Sequence, residues 1–195
     1  RIGFKIENEN TPQVSFDLRD NNLFGGGTEL GALFMLSPRI NSATVEHKAN
    51  RLFNTYLTYK LKAYYSLEDF IMYKDVATTS DKRFDREKAG EYRQQNSGLA
   101  FTLGSQVRRF GTLGAEIIYE FYKGYNLENN VISDYAFPNF ALRFSFAIDT
   151  RDVYPFTRNG VYIKGYQETA YATSGGAEMY SLIGLDYKGF VSVSD

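Results

Sequence analysis

The most regular feature of this sequence is an alternation of apolar and polar residues with a period of two. Residues 53–66, 99–107, 113–121 and 140–148 all follow it. Successive side chains of a β-strand point to opposite faces, so this alternation predicts strands with one apolar and one polar face.

Ten strands are predicted, and the apolar face is ambiguous only in the third and fourth. A charged stretch at residues 81–95, DKRFDREKAGEYRQQ, is compatible with a short helix capped by Asp81, but a solvated loop is the favoured interpretation. The predicted strands are residues 2–8, 13–20, 28–37, 40–48, 52–66, 95–107, 112–124, 139–149, 160–171 and 178–193.

Strand length favours a membrane protein over a soluble one. Strands in soluble proteins average about 5–6 residues, whereas a tilted strand that crosses a bilayer needs about 9–11. Most of the predicted strands reach that second length. No apolar run approaches the length of a membrane helix, which excludes a helical membrane protein. We therefore expect an all-β fold, an antiparallel transmembrane β-barrel.

The connections between the predicted strands support this expectation. Residues 49–51 and 108–111 form short turns, whereas residues 67–94 and 125–138 form long polar loops. Bacterial outer-membrane barrels have short periplasmic turns and longer external loops. With the N-terminus on the periplasmic side, every long loop is predicted to lie outside.

A barrel of this kind directs its polar face inward, because a charge that faces hydrocarbon is costly. Tyrosines at strand ends suit the membrane interface, where the ring is apolar and the hydroxyl reaches water. They are Tyr65, Tyr125, Tyr154 and Tyr171. The predicted inward charges are Asp17, Arg19, Lys60, Lys62, Glu116, Glu120, Arg143, Asp186 and Lys188.

Composition gives no support for catalysis or cofactor binding. The net charge of −1 offers no reason to expect nucleic acid as a partner, and cysteine is absent. His47 is the single histidine, which argues against a metal cluster or a Ser-His-Asp triad; we interpret it as a strand-end residue. Glu116 and Glu120 have the spacing of an acid/base pair, but inward barrel charges explain them. We expect no enzyme activity, no cofactor and no metal.

Two stretches resemble the BamA/TamA superfamily of outer-membrane assembly barrels, the bacterial surface antigen family. Residues 1–34 contain a strand, a short loop, a second strand and a glycine-rich turn in which Asn21, Gly25 and Gly27 match the family pattern. Residues 144–170 resemble the family strand that ends in D-x-R-D and is followed by a proline and a glycine. The matching residues there are Asp149, Arg151, Asp152, Pro155 and Gly160.

The resemblance implies that residues 1–195 are an outer-membrane β-barrel domain, corresponding to about ten strands of a sixteen-stranded family barrel. The family's V-R-G-F loop motif is expected after the tenth strand, so we expect the domain to be incomplete at its C-terminus. VRRFG at residues 107–111 lies in a short turn four strands too early to be that motif. The barrel would then close through C-terminal strands absent from this sequence or through a second copy.

The function implied is that of a bacterial outer-membrane anchor and a pore for protein insertion or translocation, with membrane lipid as a partner. Residues 104–125 also resemble barrels attached to patatin-like phospholipases, in which any lipase activity would lie upstream of this sequence. Assembly factors of the superfamily carry periplasmic domains there instead. The alternative functions are a passive diffusion porin and a soluble β-sandwich binding module.

Residues 147–160, AIDTRDVYPFTRNG, suggest a structural role at the periplasmic rim. Alternation points Asp149 and Arg151 to the same inward side, about 7 Å apart along the strand. Asp152 is expected to cap the turn, and Pro155 to stop ladder pairing. Asn159 and Gly160 suit a positive φ where the next strand begins. We interpret this segment as a lock on strand register.

Overall fold

The fold is a single antiparallel sheet of ten strands in sequence order. The computed structural model describes residues 2–5, 12–52, 55–75, 86–107, 110–153, 156–171 and 179–192. All ten predicted strands are present and the all-β prediction is confirmed. The strands are β1 (Ile2–Lys5), β2 (Gln13–Leu23), β3 (Thr28–Leu36), β4 (Ile40–Ala49), β5 (Leu57–Asp75), β6 (Arg86–Val107), β7 (Gly111–Glu128), β8 (Tyr135–Asp149), β9 (Gly160–Tyr171) and β10 (Tyr180–Phe190). Among the described residues, no helix has the length and apolar character to cross a membrane.

The loop predicted at residues 67–94 is wrong in both of its described parts, because β5 continues to Asp75 and β6 begins at Arg86. The helix considered for residues 81–95 is also wrong from Arg86 onward. Cross-strand contacts explain the difference. Arg93 donates two hydrogen bonds to Asp69, at 2.6 and 2.7 Å, so charges that look solvated in sequence neutralise each other across the ladder.

The described connections at the two ends of the sheet do not have the predicted lengths, and the clearest difference between the ends is that β5, β6 and β7 extend further at one of them. The turn predicted at residues 49–51 is longer, since β4 includes Ala49 and β5 begins only at Leu57. The loop predicted at residues 125–138 is shorter, because β7 continues to Glu128 and β8 begins at Tyr135. Residues 150–159, at the end where short turns were expected, form a longer connection than residues 129–134 at the opposite end. The expected loop asymmetry is therefore wrong for these two connections, and the extensions of β5, β6 and β7 provide the asymmetry instead.

Strand register sorts the side chains onto two faces. All nine charged residues predicted to point inward lie on one face of the sheet. Register pairing connects them from strand to strand through residues that share that face. The other face carries apolar side chains that are exposed, such as Leu99 at 57% and Phe144 at 60%. We call this second face the apolar belt. On β5 to β8 it includes Leu57, Leu61, Tyr65, Leu99, Phe101, Leu103, Leu113, Ile117, Tyr119, Phe121, Phe144, Phe146 and Ile148.

Aromatic rings cover glycines on neighbouring strands. Tyr64 is the register partner of Gly98, and a Cβ placed on Gly98 would lie 2.6 Å from the tyrosine ring. Tyr166 covers Gly184 in the same way, at 2.2 Å. A strand glycine leaves its surface uncovered, and an aromatic ring on the partner strand restores the missing contact. These pairs specify register as well as packing.

A polar network lies on the inward face where β6 to β10 are side by side. Arg143 donates to Glu168 at 2.7 Å and to Glu116 at 3.1 Å. Both carboxylates are largely buried, with relative exposures of 8%. Glu120 accepts hydrogen bonds from the hydroxyls of Tyr64 and Tyr122. Glu116, Glu120 and Glu168 therefore all have side-chain donors in this network, as buried polar groups require.

Replacing Arg143 with alanine should destabilise the sheet, because Glu116 and Glu168 would lose their shared cation. We expect the free energy of unfolding to fall by about 1–3 kcal/mol, nearer the lower value since the Arg143 side chain is 37% exposed. Urea unfolding of the protein folded in detergent would measure the change.

Lys60→Ala is the matched control. Lys60 also points inward, but its register partner on β4 is Lys48 and not a carboxylate. We expect little loss of stability for this control. Equal losses in the two variants would contradict the assigned role of Arg143.

Candidate functional site

The family-like segment at residues 149–160 forms an ordered connection between β8 and β9. The Thr150 backbone N–H donates to the Val161 carbonyl at 2.9 Å, and the Val161 N–H donates to the Thr150 hydroxyl at 3.0 Å. One step further out, the Asp152 N–H donates to the Asn159 carbonyl at 3.1 Å. The connection therefore continues the pairing of the two strands beyond their ends.

Asp149 and Arg151 pair directly, two residues apart. The Arg151 guanidinium donates to both carboxylate oxygens of Asp149, at 2.8 and 2.6 Å, and the Arg151 backbone N–H adds a third hydrogen bond at 3.2 Å. A bidentate arginine–carboxylate pair is both strong and directional. It fixes the Arg151 side chain against the end of β8.

Tyr162 joins this pair to the next two strands. It is the register partner of Asp149 on one side and of Lys188 on the other. The Arg151 guanidinium lies 4.7 Å from the centre of the Tyr162 ring, and the Lys188 ammonium lies 5.9 Å from it. Both distances are within the range of cation–π attraction. Lys188 also pairs with Asp186 at 3.5 Å.

We call Asp149, Arg151, Tyr162, Asp186 and Lys188 the rim cluster. Its two cations and two carboxylates balance in charge, and its members come from β9, β10, the end of β8 and the residues just after it. A displacement of β9 by one residue would turn Tyr162 to the opposite face and separate it from both cations. The cluster is suited to holding the register of these three strands.

Asp152 and Gly160 shape the connection itself. The Asp152 carboxylate accepts hydrogen bonds from the backbone N–H groups of Val153, at 2.8 Å, and Arg158, at 3.0 Å. Gly160 has a φ of 119°, and a Cβ there would lie 2.5 Å from the Thr150 carbonyl oxygen. Both the conformation and the available space therefore require glycine. Pro155 lies outside the described residues.

The second family-like segment is the turn between β2 and β3. Gly25 and Gly27 have φ values of 73° and 68°, and Phe24 also has a positive φ of 51°. The Gly27 N–H donates to the Asn22 side chain at 2.9 Å, and the Asn22 N–H donates to the Asp20 carboxylate at 3.0 Å. Asn21 lies within β2, exposed, next to these contacts.

Sequence reasoning therefore identified the glycines but missed several side chains that organise the two segments. Asn22, not Asn21, holds the first turn closed, and asparagine directly before a glycine-rich turn is a known signal for such a bond. Tyr162 was missed because its role depends on two cations far away in the sequence or off its own strand, Arg151 just after β8 and Lys188 on β10. No local pattern indicates such a contact.

The described residues contain no cluster of three or more histidine, cysteine, aspartate or glutamate side chains arranged to hold a metal ion. His47 lies within β4, with its ring nitrogen 3.1 Å from the Tyr59 hydroxyl. Glu116 accepts a hydrogen bond from Thr102 at 3.0 Å in addition to its pairing with Arg143. These hydrogen bonds fix the positions of the His47 and Glu116 side chains.

Replacing Arg151 with alanine should lower the urea concentration at which the sheet unfolds, because Asp149 and Tyr162 would both lose their contact with the guanidinium. Arg158→Ala removes the same charge from an exposed position in the same connection and is the matched control. Band shifts on semi-native gels give an independent readout. Equal resistance of Arg151→Ala and the parent chain to heat and urea would contradict the assigned role.

Stability should also depend on pH through Asp149, which lies just beyond the apolar belt. Hydrogen bonds from Arg151 lower the pKa of its carboxyl to about 2, below the usual value of about 3.9. The folded state thus binds this proton more weakly than the unfolded state. Its stabilising contribution is complete above about pH 4 and is lost as the pH falls towards 2.

The difference in unfolding midpoint between the parent chain and Asp149→Asn, followed by urea titration at each pH, should therefore shrink over this interval. In an Arg151→Ala background the same substitution should have little effect at any pH. A difference that stays constant from pH 5 to pH 2 would contradict the assignment.

One comparison with known proteins is informative. The family described as the Omp85 superfamily domain matches residues 22–195. The matched range contains the whole rim cluster, Gly25 and Gly27, whereas Asn21 lies just before it. A search of curated proteins found no match.

Proposed function

Because this chain belongs to the Omp85 superfamily, we propose that its sheet forms the wall of a β-barrel in the bacterial outer membrane. Members of the family are bacterial outer-membrane proteins concerned with protein assembly and translocation. In this proposal residues 1–195 are a barrel domain that anchors the protein and forms part of a pore for inserting or translocating other proteins.

The observation that carries the proposal is the apolar belt. On β5, residues 57–67 place only apolar side chains on the belt face, and Asp69 is the first charge there. Ten residue steps cover about 33 Å along a strand, or about 25 Å of bilayer depth at a tilt of about 40°. This height matches the apolar band of outer-membrane barrels. The extensions of β5 and β6 would then lie outside the membrane.

The polar inward face supports the role of a pore wall. Charges of both signs line it, and many are paired, as between Arg19 and Glu46 at 2.9 Å. Such a face tolerates water, whereas the belt face does not. Glu116 and Glu120 act as structural acceptors in this proposal, and the chain itself has no catalytic role.

Closure of the barrel is part of the proposal. Among the described residues β1 pairs only with β2, and β10 only with β9. Unpaired backbone groups are costly in hydrocarbon, so both edges must be covered in a membrane. Additional strands of the same protein or a second copy of this chain would cover them. A patatin-like lipase or periplasmic domains upstream of Arg1 remain the two candidate attachments.

Replacing Leu99 with arginine tests the assignment of the belt to lipid. Leu99 is 57% exposed near the middle of the belt, and arginine at the bilayer midplane costs about 2–4 kcal/mol. We expect the variant to fail to insert into phospholipid vesicles, measured by flotation and by protection from protease. In a soluble β-sandwich the belt would be buried against a second sheet, so the parent chain itself would fold without lipid and would not float with the vesicles.

Tyr73→Arg is the matched control. Tyr73 is exposed at 57%, as Leu99 is, and lies on the belt side of β5 but in its extension, beyond the belt. It should insert as well as the parent chain. Normal insertion of Leu99→Arg, or folding of the parent chain without detergent or lipid, would overturn the barrel assignment.

A further inference from the structure

Aromatic rings line the inward face at the end of the sheet opposite the rim cluster. Phe70 on β5 and Tyr92 on β6 are register partners whose rings stack, with centres 5.1 Å apart. On β7 and β8, the ring of Phe137 lies 5.6 Å from that of Tyr122 and 5.7 Å from that of Tyr135. All five register positions belong to the inward face. We call these residues the aromatic arc. It crosses four adjacent strands, which is three strand spacings or about 14 Å.

The aromatic arc keeps part of its surface open on the inward side. All five of its residues are half-buried, since the rings pack on each other and on the sheet. Tyr135 lies over Gly124 on β7, where a Cβ would be 2.3 Å from the ring. In the proposed barrel this end of the sheet is external, so the arc lines the mouth of the pore. Ligand sites occur preferentially in the mouths of β-barrels.

Neutral polar side chains adjoin the arc on the same face. Register places Ser66 and Asn96 in one row with Tyr122, and Gln94 in the next row with Gly124. Among the described residues, the side chains of Ser66, Gln94 and Asn96 form no hydrogen bond. The carboxylates of the inward network nearer the rim cluster are paired, so this end of the face differs from the rest. It offers hydroxyl and amide groups that are available to a ligand.

Asn96 carries the strongest sign of a missing partner. Its side-chain oxygen is shielded from solvent and accepts no hydrogen bond among the described residues. A shielded acceptor without a donor is unfavourable, and most such groups in folded proteins are paired. The terminal torsion of asparagine is broad, so a ligand that turns this amide would be met by either its oxygen or its N–H groups. The amide suits a partner that both donates and accepts.

This combination of groups fits a neutral sugar chain. A sugar ring has C–H groups on its faces, which pack against the electron-rich face of an aromatic ring. Its hydroxyls donate and accept hydrogen bonds, as the amides and the serine hydroxyl do. Glu68 is the single charge on β5 to β8 in the two rows that contain Asn96 and Gln94, so an acidic sugar is disfavoured. Rings along an open strand face match a flat sugar ring better than the branched side chains of a peptide.

We propose that the aromatic arc, together with Ser66, Gln94 and Asn96, binds a neutral glycan at the external mouth of the barrel. Sugar rings lie against the aromatic faces, and sugar hydroxyls pair with the two amides. A free oligosaccharide and the sugar portion of a glycolipid share this chemistry. The inference rests on the proposed function for the external position of the site, whereas the binding groups themselves belong to the folded sheet.

Asn96→Ala tests the proposal without removing any hydrogen bond within the described protein. The chain folded in detergent is titrated calorimetrically with short neutral oligosaccharides of glucose, galactose and N-acetylglucosamine. We expect the parent chain to bind at least one of them. Asn96→Ala should bind it about fivefold more weakly, as expected for the loss of one hydrogen bond, with no loss of stability towards urea. Gln106→Ala is the matched control, since Gln106 is an inward amide on the same strand at the opposite end.

Tyr92→Ala removes one ring of the arc and should weaken binding about tenfold. Tyr166→Ala, which removes an inward tyrosine of β9 outside the arc, is its control and should bind as the parent chain does. An acidic oligosaccharide of galacturonate should bind more weakly than the neutral ones, and Glu68→Gln should reduce that difference. Equal binding by the parent chain, Asn96→Ala and Tyr92→Ala would overturn the site.

Two further results would overturn the inference. One is the absence of binding to every neutral oligosaccharide of the panel, and the other is binding of an unfolded polypeptide at these residues in place of a glycan. A glycolipid with the same sugar, presented in vesicles, competes with the free oligosaccharide if both sources use the site. Vesicle flotation separates the two proposals, because a parent chain that floats but binds no glycan contradicts the glycan site alone.

Discussion

The constraint on which the rest of this structure depends is strand register. A side chain in a strand has only two directions, and a shift of one residue exchanges them along the whole strand. Here such a shift would move the charges of one face into the apolar belt and the belt residues among the charges. The pairing of all ten strands in sequence order keeps the two faces separate. The belt, the inward network and the rim cluster are all consequences of that separation.

Register is fixed by several kinds of contact at different heights of the sheet. At one end, the rim cluster ties β8 to β9 and β10 through Tyr162. In the middle, Arg143 bridges Glu116 and Glu168 across three strands, and aromatic rings are seated on glycines. Towards the other end, Arg93 pairs with Asp69. Each contact is formed only in the native pairing, so their effects reinforce one another.

The sequence predicted the strands well because alternation is a local signal. It predicted both the number of strands and the face on which Lys62, Glu120 and Arg143 lie. It failed where charges follow one another, as at residues 86–95, because the strand there is stabilised by partners on β5 and β7 that no local pattern contains. The glycine at position 160 was predictable from turn chemistry. Tyr162 and Asn22 were not, since the role of Tyr162 depends on cations at the ends of the two neighbouring strands and that of Asn22 on the residue at which the turn after β2 closes.

The seating of aromatic rings on glycines has a consequence for how this sequence can change over evolutionary time. At Gly98 and Gly184 no larger residue fits while Tyr64 and Tyr166 keep their places. Either glycine can be replaced only after its tyrosine has become smaller, and the smaller residue leaves the glycine backbone uncovered until the second change occurs. Each pair is therefore a two-step barrier with a less stable intermediate. Among related sequences, the ring and the glycine should be inherited together, as a single character that is either present or lost as a whole.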